Sequence, residues 1–198
     1  MSILANEGES KPKQLPPAGT HVARCFSIID LGTQATPFGE TRKIRITWEL
    51  PDEVAVFKEE NGEQPFVVSK EYTLSLYEKA NLRHDLEAWR GKQFNESELK
   101  GFDISKLIGV PCLLAVVHKT TDKGKTYANI SSVSSLAKGM TCVKQVNPSV
   151  EYSINDGDNA VYKAFPEWLR TKISGAQEWG EVPPDDFRET DLPDDPPF

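Results

Sequence analysis

The stretch "SLYEKANLRHDLEAWRG", residues 75–91, sets Leu82, Leu86 and Trp89 at near-helical spacing and closes on Gly91. Apolar residues recurring every three to four positions make one face of an α-helix. Glycine just past the last turn is a common stop, because it takes left-handed backbone at no steric cost. The stretch predicts a helix. Its weight comes from its neighbours, which on both sides read as strand.

Upstream, "THVARCFSIIDL" (20–31) is rich in β-branched and aromatic residues and runs into a loop, "GTQATPFGE" (32–40). The next segment, "RKIRITWEL" (42–50), alternates: Ile44, Ile46, Trp48 and Leu50 share one face, with Lys43, Arg45 and Thr47 on the other. That is the period of a half-buried strand, and Trp48 reads as core. "PDEVAVFKEENGEQPFVV" (51–68) predicts an extra hairpin turning at Asn61-Gly62, and "VVSKEYTLSL" (67–76) is a third strand. Downstream, a short segment "ESELKGFDISKLIG" (96–109) leads to the nearly continuous apolar run "PCLLAVVHK" (111–119). After the loop "TTDKG" comes a fifth strand, "KTYANISSVSSL" (125–136).

Three strands, a helix, then two strands within residues 19–137 match the five-stranded OB-fold barrel, whose helix falls between strands 3 and 4. An SH3-like barrel or a split sandwich would give a similar string. The expected class is therefore mainly β: an OB-fold barrel with an extra hairpin, a C-terminal helix and a disordered acidic tail. Residues 1–18, ending in "LPP", read as a flexible arm. Residues 138–179 form an extension in which "YKAFPEWLRTKISGAQEW" (162–179) puts Phe165, Trp168, Leu169 and Ile173 on one helical stripe, with Pro166 in the first turn. That stripe predicts packing back on the barrel; its other use is a surface for a partner or for self-association.

Charge divides the chain. Of the net −7, −6 belongs to residues 180–198, with seven acids and one base, Arg188. The body is near neutral, so the acidity says little about it. Cys25, Cys112 and Cys142 are far apart with no CxxC pair, which reads as free thiols in a reducing compartment. With no signal peptide and no apolar run of membrane-spanning length, the expectation is a cytoplasmic protein.

On an OB barrel, ligand strands cross the face of strands 2 and 3 between the β1–β2 and β4–β5 loops. The first loop holds Phe38 and leads into Arg42 and Lys43; the outward face of strand 2 adds Arg45. Strand 3 carries Lys70 and Tyr72, and the second loop has Lys119, Lys123 and Lys125 with Tyr127 just after it. Cations that track phosphates and rings on which unpaired bases stack are what single-stranded nucleic acid requires. Lysines also guard sheet edges against aggregation, and Lys70 and Tyr72 share a parity with Leu74, so which face of strand 3 meets a ligand stays open.

Catalytic chemistry finds little support. His21, His84 and His118 have no second ligand at metal spacing, and no phosphate loop, dinucleotide fingerprint or nucleophile elbow is present. The expectation is no catalytic residue, no metal and no cofactor.

The terminal "DLPDDPPF" (191–198) resembles the acidic, proline-containing, phenylalanine-ended tip of bacterial single-stranded DNA-binding proteins, and a similar device ends the corresponding proteins of T7-like phages. The body is not similar in sequence to the bacterial protein, and its hairpin and C-terminal helix depart from it. From "PPAGTHVAR" to "KGKTYANI" it resembles phage-encoded OB-fold proteins of the single-stranded DNA-binding type. The resemblance implies a host-cytoplasmic protein of phage replication, recombination or repair. It also implies that Asp191, Asp194, Asp195, Pro196, Pro197 and Phe198 recruit replication and recombination proteins, and that the tail competes with DNA for the groove. Two rival readings are a DNA mimic that inhibits a host enzyme through its acidic tail, and a small OB-fold nuclease.

Overall fold

The computed structural model describes residues 14–180. Among these the chain is mainly β, with strands β1 (Gly19–Thr36), β2 (Gly39–Val56), β3 (Glu63–Thr73), β4 (Pro111–Thr120), β5 (Thr126–Ser134) and β6 (Val150–Tyr152). The helices are α1 (Asn81–Arg90), α2 (Glu96–Lys100), α3 (Ala160–Ala164) and α4 (Glu167–Ser174). The antiparallel order is β3-β2-β1-β4-β5, and β6 adds to β1 in parallel. The outer strands β3 and β5 approach within 8 Å at Cα, and no ladder joins them among the described residues.

β1 organises the sheet by changing partners along its length. Gly19–Arg24 pairs with β4, and from Arg24 onward the strand pairs with β2. Register shifts at Cys25–Ser27 and Asp30–Gly32 mark bulges, which bend a strand and increase its twist. Past the last β1–β4 pair, Arg24↔Pro111, β6 pairs with β1 at Ser27–Ile29.

The predicted loop over 32–40 is almost entirely strand. Pairing continues to Thr36↔Gly39 and leaves Pro37-Phe38 as the turn. The Thr36 hydroxyl closes it, donating to the Gly39 carbonyl at 2.6 Å and accepting from Phe38 N–H. The extra hairpin is the continuation of β2 and β3, with Val54–Val56 against Glu63–Pro65 beyond a register shift at Pro51–Glu53.

The main core lies on one face of the sheet, where Ile44, Ile46, Trp48 and Leu50 meet Leu114, Ile130 and Val133. The α1 stripe closes it with Leu82, Leu86 and Trp89; Trp48 and Trp89 stand 5.7 Å apart in a tilted pair. Each such side chain contributes roughly 1.5–3 kcal/mol when fully buried.

A second core sits around Ile29 and Leu31 of β1 with Tyr152, Ile154, Tyr162, Leu169, Ile173 and Ala176; of the predicted stripe Leu169 and Ile173 are buried in it and Trp168 stays half-exposed. The C-terminal extension thus packs back on the sheet. Its predicted single helix is two, because a residue before proline is driven out of α backbone: Phe165 is extended and Pro166 caps α4. Gly32 is the point of closest approach. With φ +67°, its missing Cβ leaves room for Ile154 Cδ1, Ala176 Cβ and Glu178 Oε2.

Of the arm expected over 1–18, residues 14–18 are described, and two of their backbone carbonyls are bonded to histidines of the sheet. Pro16 is buried, and its carbonyl accepts from His118 Nε2 at 2.8 Å. The Pro17 carbonyl accepts from His21 Nε2 at 2.9 Å.

Candidate nucleic-acid interface

Cross-strand register sorts the cations of β2 and β3. Lys43 faces Thr73 and Arg45 faces Glu71 across the ladder, while Ile44 faces Tyr72 and Ile46 faces Lys70. Paired residues of an antiparallel ladder share a face, so Tyr72 and Lys70 belong with the core. Tyr72 is only 3% exposed. Its hydroxyl donates to Asp85 Oδ2 of α1 at 2.7 Å, and Lys70 Nζ donates to the same oxygen at 2.6 Å. Burial first, then the Asp85 charge, drives the Tyr72 phenol far above its ordinary range. Tyr72 is therefore corrected from a stacking ring to a core residue: the apolar parity of β3 won over its aromatic character. Lys70 stays at the rim of that face.

On the outer face, Lys43 Nζ donates to Thr73 Oγ1 at 2.8 Å. At the end of β3 a cleft of about 390 Å³ is lined by residues of both its faces, Lys43, Glu71 and Thr73 with Lys70 and Tyr72, and by Ser75, Tyr77, Lys79, Ala80 and Asn81 beyond it. Tyr77 is 69% exposed. Tyr77 and Lys79 went unread in the sequence because they lie in the stretch assigned to helix; the helix begins only at Asn81. Their signal was a ring and a cation two residues apart immediately before a helix start.

Arg45 is less free than its place on the outer face suggested. Its guanidinium lies 3.4 Å from Glu71 and 4.9 Å from the centre of the Trp168 ring of α4. Burial lowers its pKa, and Glu71 opposes that. Glu71 also accepts from Lys172 Nζ at 2.6 Å. Arg42 is tied to Asp30 at 2.5 Å, and that bond first, against the opposing effect of burial, raises its pKa.

Phe38 stands at the tip of the β1–β2 turn, 97% exposed. The other predicted group is elsewhere. Lys119 pairs with Tyr127 at the end of the β4–β5 hairpin, and Lys123 and Lys125 are exposed in and beside its turn. That hairpin end lies beyond Val116↔Gly19, at the start of β1, whereas Phe38 stands two residues past its last, Thr36. The fold brings Lys43, Lys70 and Arg45 to one cleft and its border, and sets the two loop groups at opposite ends of β1.

The six partner-binding residues, Asp191, Asp194, Asp195, Pro196, Pro197 and Phe198, lie outside the described residues. Among the described residues no group of three or more His, Cys, Asp or Glu could hold a metal ion, and no helix is long and apolar enough to cross a membrane. No protein-family model matches the chain, and no curated protein matches it in sequence.

Proposed function

We propose that the chain is a non-enzymatic OB-fold protein that binds single-stranded DNA with little sequence preference in phage replication, recombination or repair, working in the host cytoplasm. The strand order, the approach of β3 to β5 and the place of α1 between β3 and β4 support the OB reading. The observation that carries the function is the cleft at the end of β3, which Lys43, Lys79 and the exposed Tyr77 line together. Cations that hold phosphates beside a ring that holds a base make a single-strand seat. Phe38 at its hairpin tip, and Tyr127 with Lys119, Lys123 and Lys125 at the end of the β4–β5 hairpin, are the further contacts that this reading assigns to the strand. In this reading residues 180–198 recruit partners through Asp191–Phe198 and compete with DNA for the same cations at the high local concentration that tethering gives.

The test is a titration of the full chain with labelled dT and rU oligonucleotides and a duplex of equal length, repeated after deletion of Asp191–Phe198. The expected result is preference for the single strand, weakening as salt rises, and tighter binding by the deletion at low salt. Equal affinity for duplex, or no binding by either form, overturns the proposal.

A further inference from the structure

Of the four tryptophans, Trp48 and Trp89 are buried and Trp179 is partly buried against Tyr162 at 4.5 Å. Trp168 is the exception, 52% exposed. It sits on α4 beside Leu169, which with Ile173 is buried in the second core. The helix is thus anchored by its neighbours and does not require the indole for packing. What the indole does touch is charged: the Arg45 guanidinium, 4.9 Å from the ring centre. One turn further along α4, Lys172 reaches Glu71, and Glu71 is also the partner of Arg45. Two cations share one carboxylate, so the patch keeps a positive charge. Glu71 and Lys43 then carry the surface on into the cleft with Tyr77 and Lys79.

We infer that Trp168 is a base-stacking platform of the single-strand face, contributed by the C-terminal extension and held in place over Arg45. The inference rests on the single-stranded DNA reading and adds a residue to it. A half-exposed indole braced by a guanidinium is a preformed π-surface, and any base can stack on it, while Arg45, Lys172 and Lys43 take the flanking phosphates. The extension therefore completes the nucleic-acid face instead of merely covering the outer side of β1 and β2. A strand would run from Trp168 across Arg45 and Glu71 to Tyr77, with rings at both ends and cations between them.

The test uses the full chain, with labelled dT oligonucleotide followed by anisotropy and protein fluorescence read in parallel. Wild type should bind with quenching of tryptophan emission. Trp168→Phe should keep most of the affinity and lose most of the quenching. Trp168→Ala should bind about 5- to 150-fold more weakly, the range spanned by one stacked base, with its salt slope unchanged. A melting curve close to wild type for Trp168→Ala shows that α4 remains seated. If Trp168→Ala melts early, the Trp168→Phe pair of readouts decides alone, because a purely structural ring would leave wild-type emission unmoved by the oligonucleotide. Binding without quenching, or quenching that persists in Trp168→Phe, overturns this inference and leaves the DNA reading intact. No binding of single strands by wild type overturns both.

Discussion

The carboxylate of Glu49 accepts both the backbone and the side-chain N–H of Asn147, at 2.8 and 2.7 Å. Glu49 is completely buried in β2, and its other oxygen accepts Val146 N–H at 2.8 Å. A charge with no water around it is tolerable only when donors surround it, and here all three come from the irregular segment after β5. That segment is further held by Arg24, which donates to the carbonyls of Cys142 and Val143. Glu49→Ala should therefore lower the unfolding free energy by about 3 kcal/mol, the scale of losing buried hydrogen bonds to a charged group. Urea denaturation measures it, and early proteolytic cleavage between 137 and 149 should accompany it.

Gly32 tests the second core from the opposite side. Its φ of +67° is costly for any L side chain, and a Cβ there would overlap Ile154 and Ala176. Gly32→Ala should destabilise by more than about 1 kcal/mol, while Gly39→Ala, whose Cβ would meet nothing within 4 Å, should cost only its backbone strain. Paired thermal melts make the comparison.

Rings and charges in the proposed interface should separate in binding data. Phe38→Ala should cost roughly 1–3 kcal/mol of single-strand affinity at an unchanged salt slope. It should leave the melting temperature where it was, since the ring packs against nothing. Lys43→Ala should flatten the plot of log affinity against log salt by about 0.7, one phosphate on a single strand. Identical slopes for wild type and Lys43→Ala would remove that lysine from the interface.

Acid should loosen the extension through Glu178. Burial pushes its carboxyl up, but the Thr33 hydroxyl and N–H, at 2.6 and 2.7 Å, outweigh that with help from Arg42 and hold it below its ordinary 4.5. A folded pKa lowered in this way contributes stability above the ordinary value, lost as pH falls through the folded one. The stability gap between wild type and Glu178→Gln should thus be widest above pH 4.5 and close on acidification. A gap independent of pH would rule the carboxylate out as its cause.

Thiol chemistry should divide the cysteines. Burial pushes Cys25 up to about 12 and Cys112 well above its ordinary range, so neither presents thiolate at neutral pH. Cys142, also raised by burial, is only partly covered. A neutral-pH thiol titration of the native chain should modify Cys142 alone and slowly, and all three after denaturation.

The sequence by itself determined the elements that depend on local pattern. Alternation in 42–50 put Ile44, Ile46, Trp48 and Leu50 inside, the 3.6-residue stripe of Leu82, Leu86 and Trp89 made α1, and Gly91 ended it in left-handed backbone. Single exposed positions such as Phe38 were readable for the same reason, because a turn between two long strands has nothing to bury it. Tertiary structure alone decided the rest. Which side of β3 Tyr72 takes was fixed by its pairing with Ile44 of β2, which sets it on the core side where Asp85 of α1 receives its hydroxyl. Whether Arg45 stood free depended on Trp168 and Lys172, brought back by a second core whose members lie more than a hundred residues apart in the chain. Periodicity reports which face of an element is apolar. It carries no information about which distant segment will cover the other face, because that is set by packing between surfaces that meet only in the folded chain.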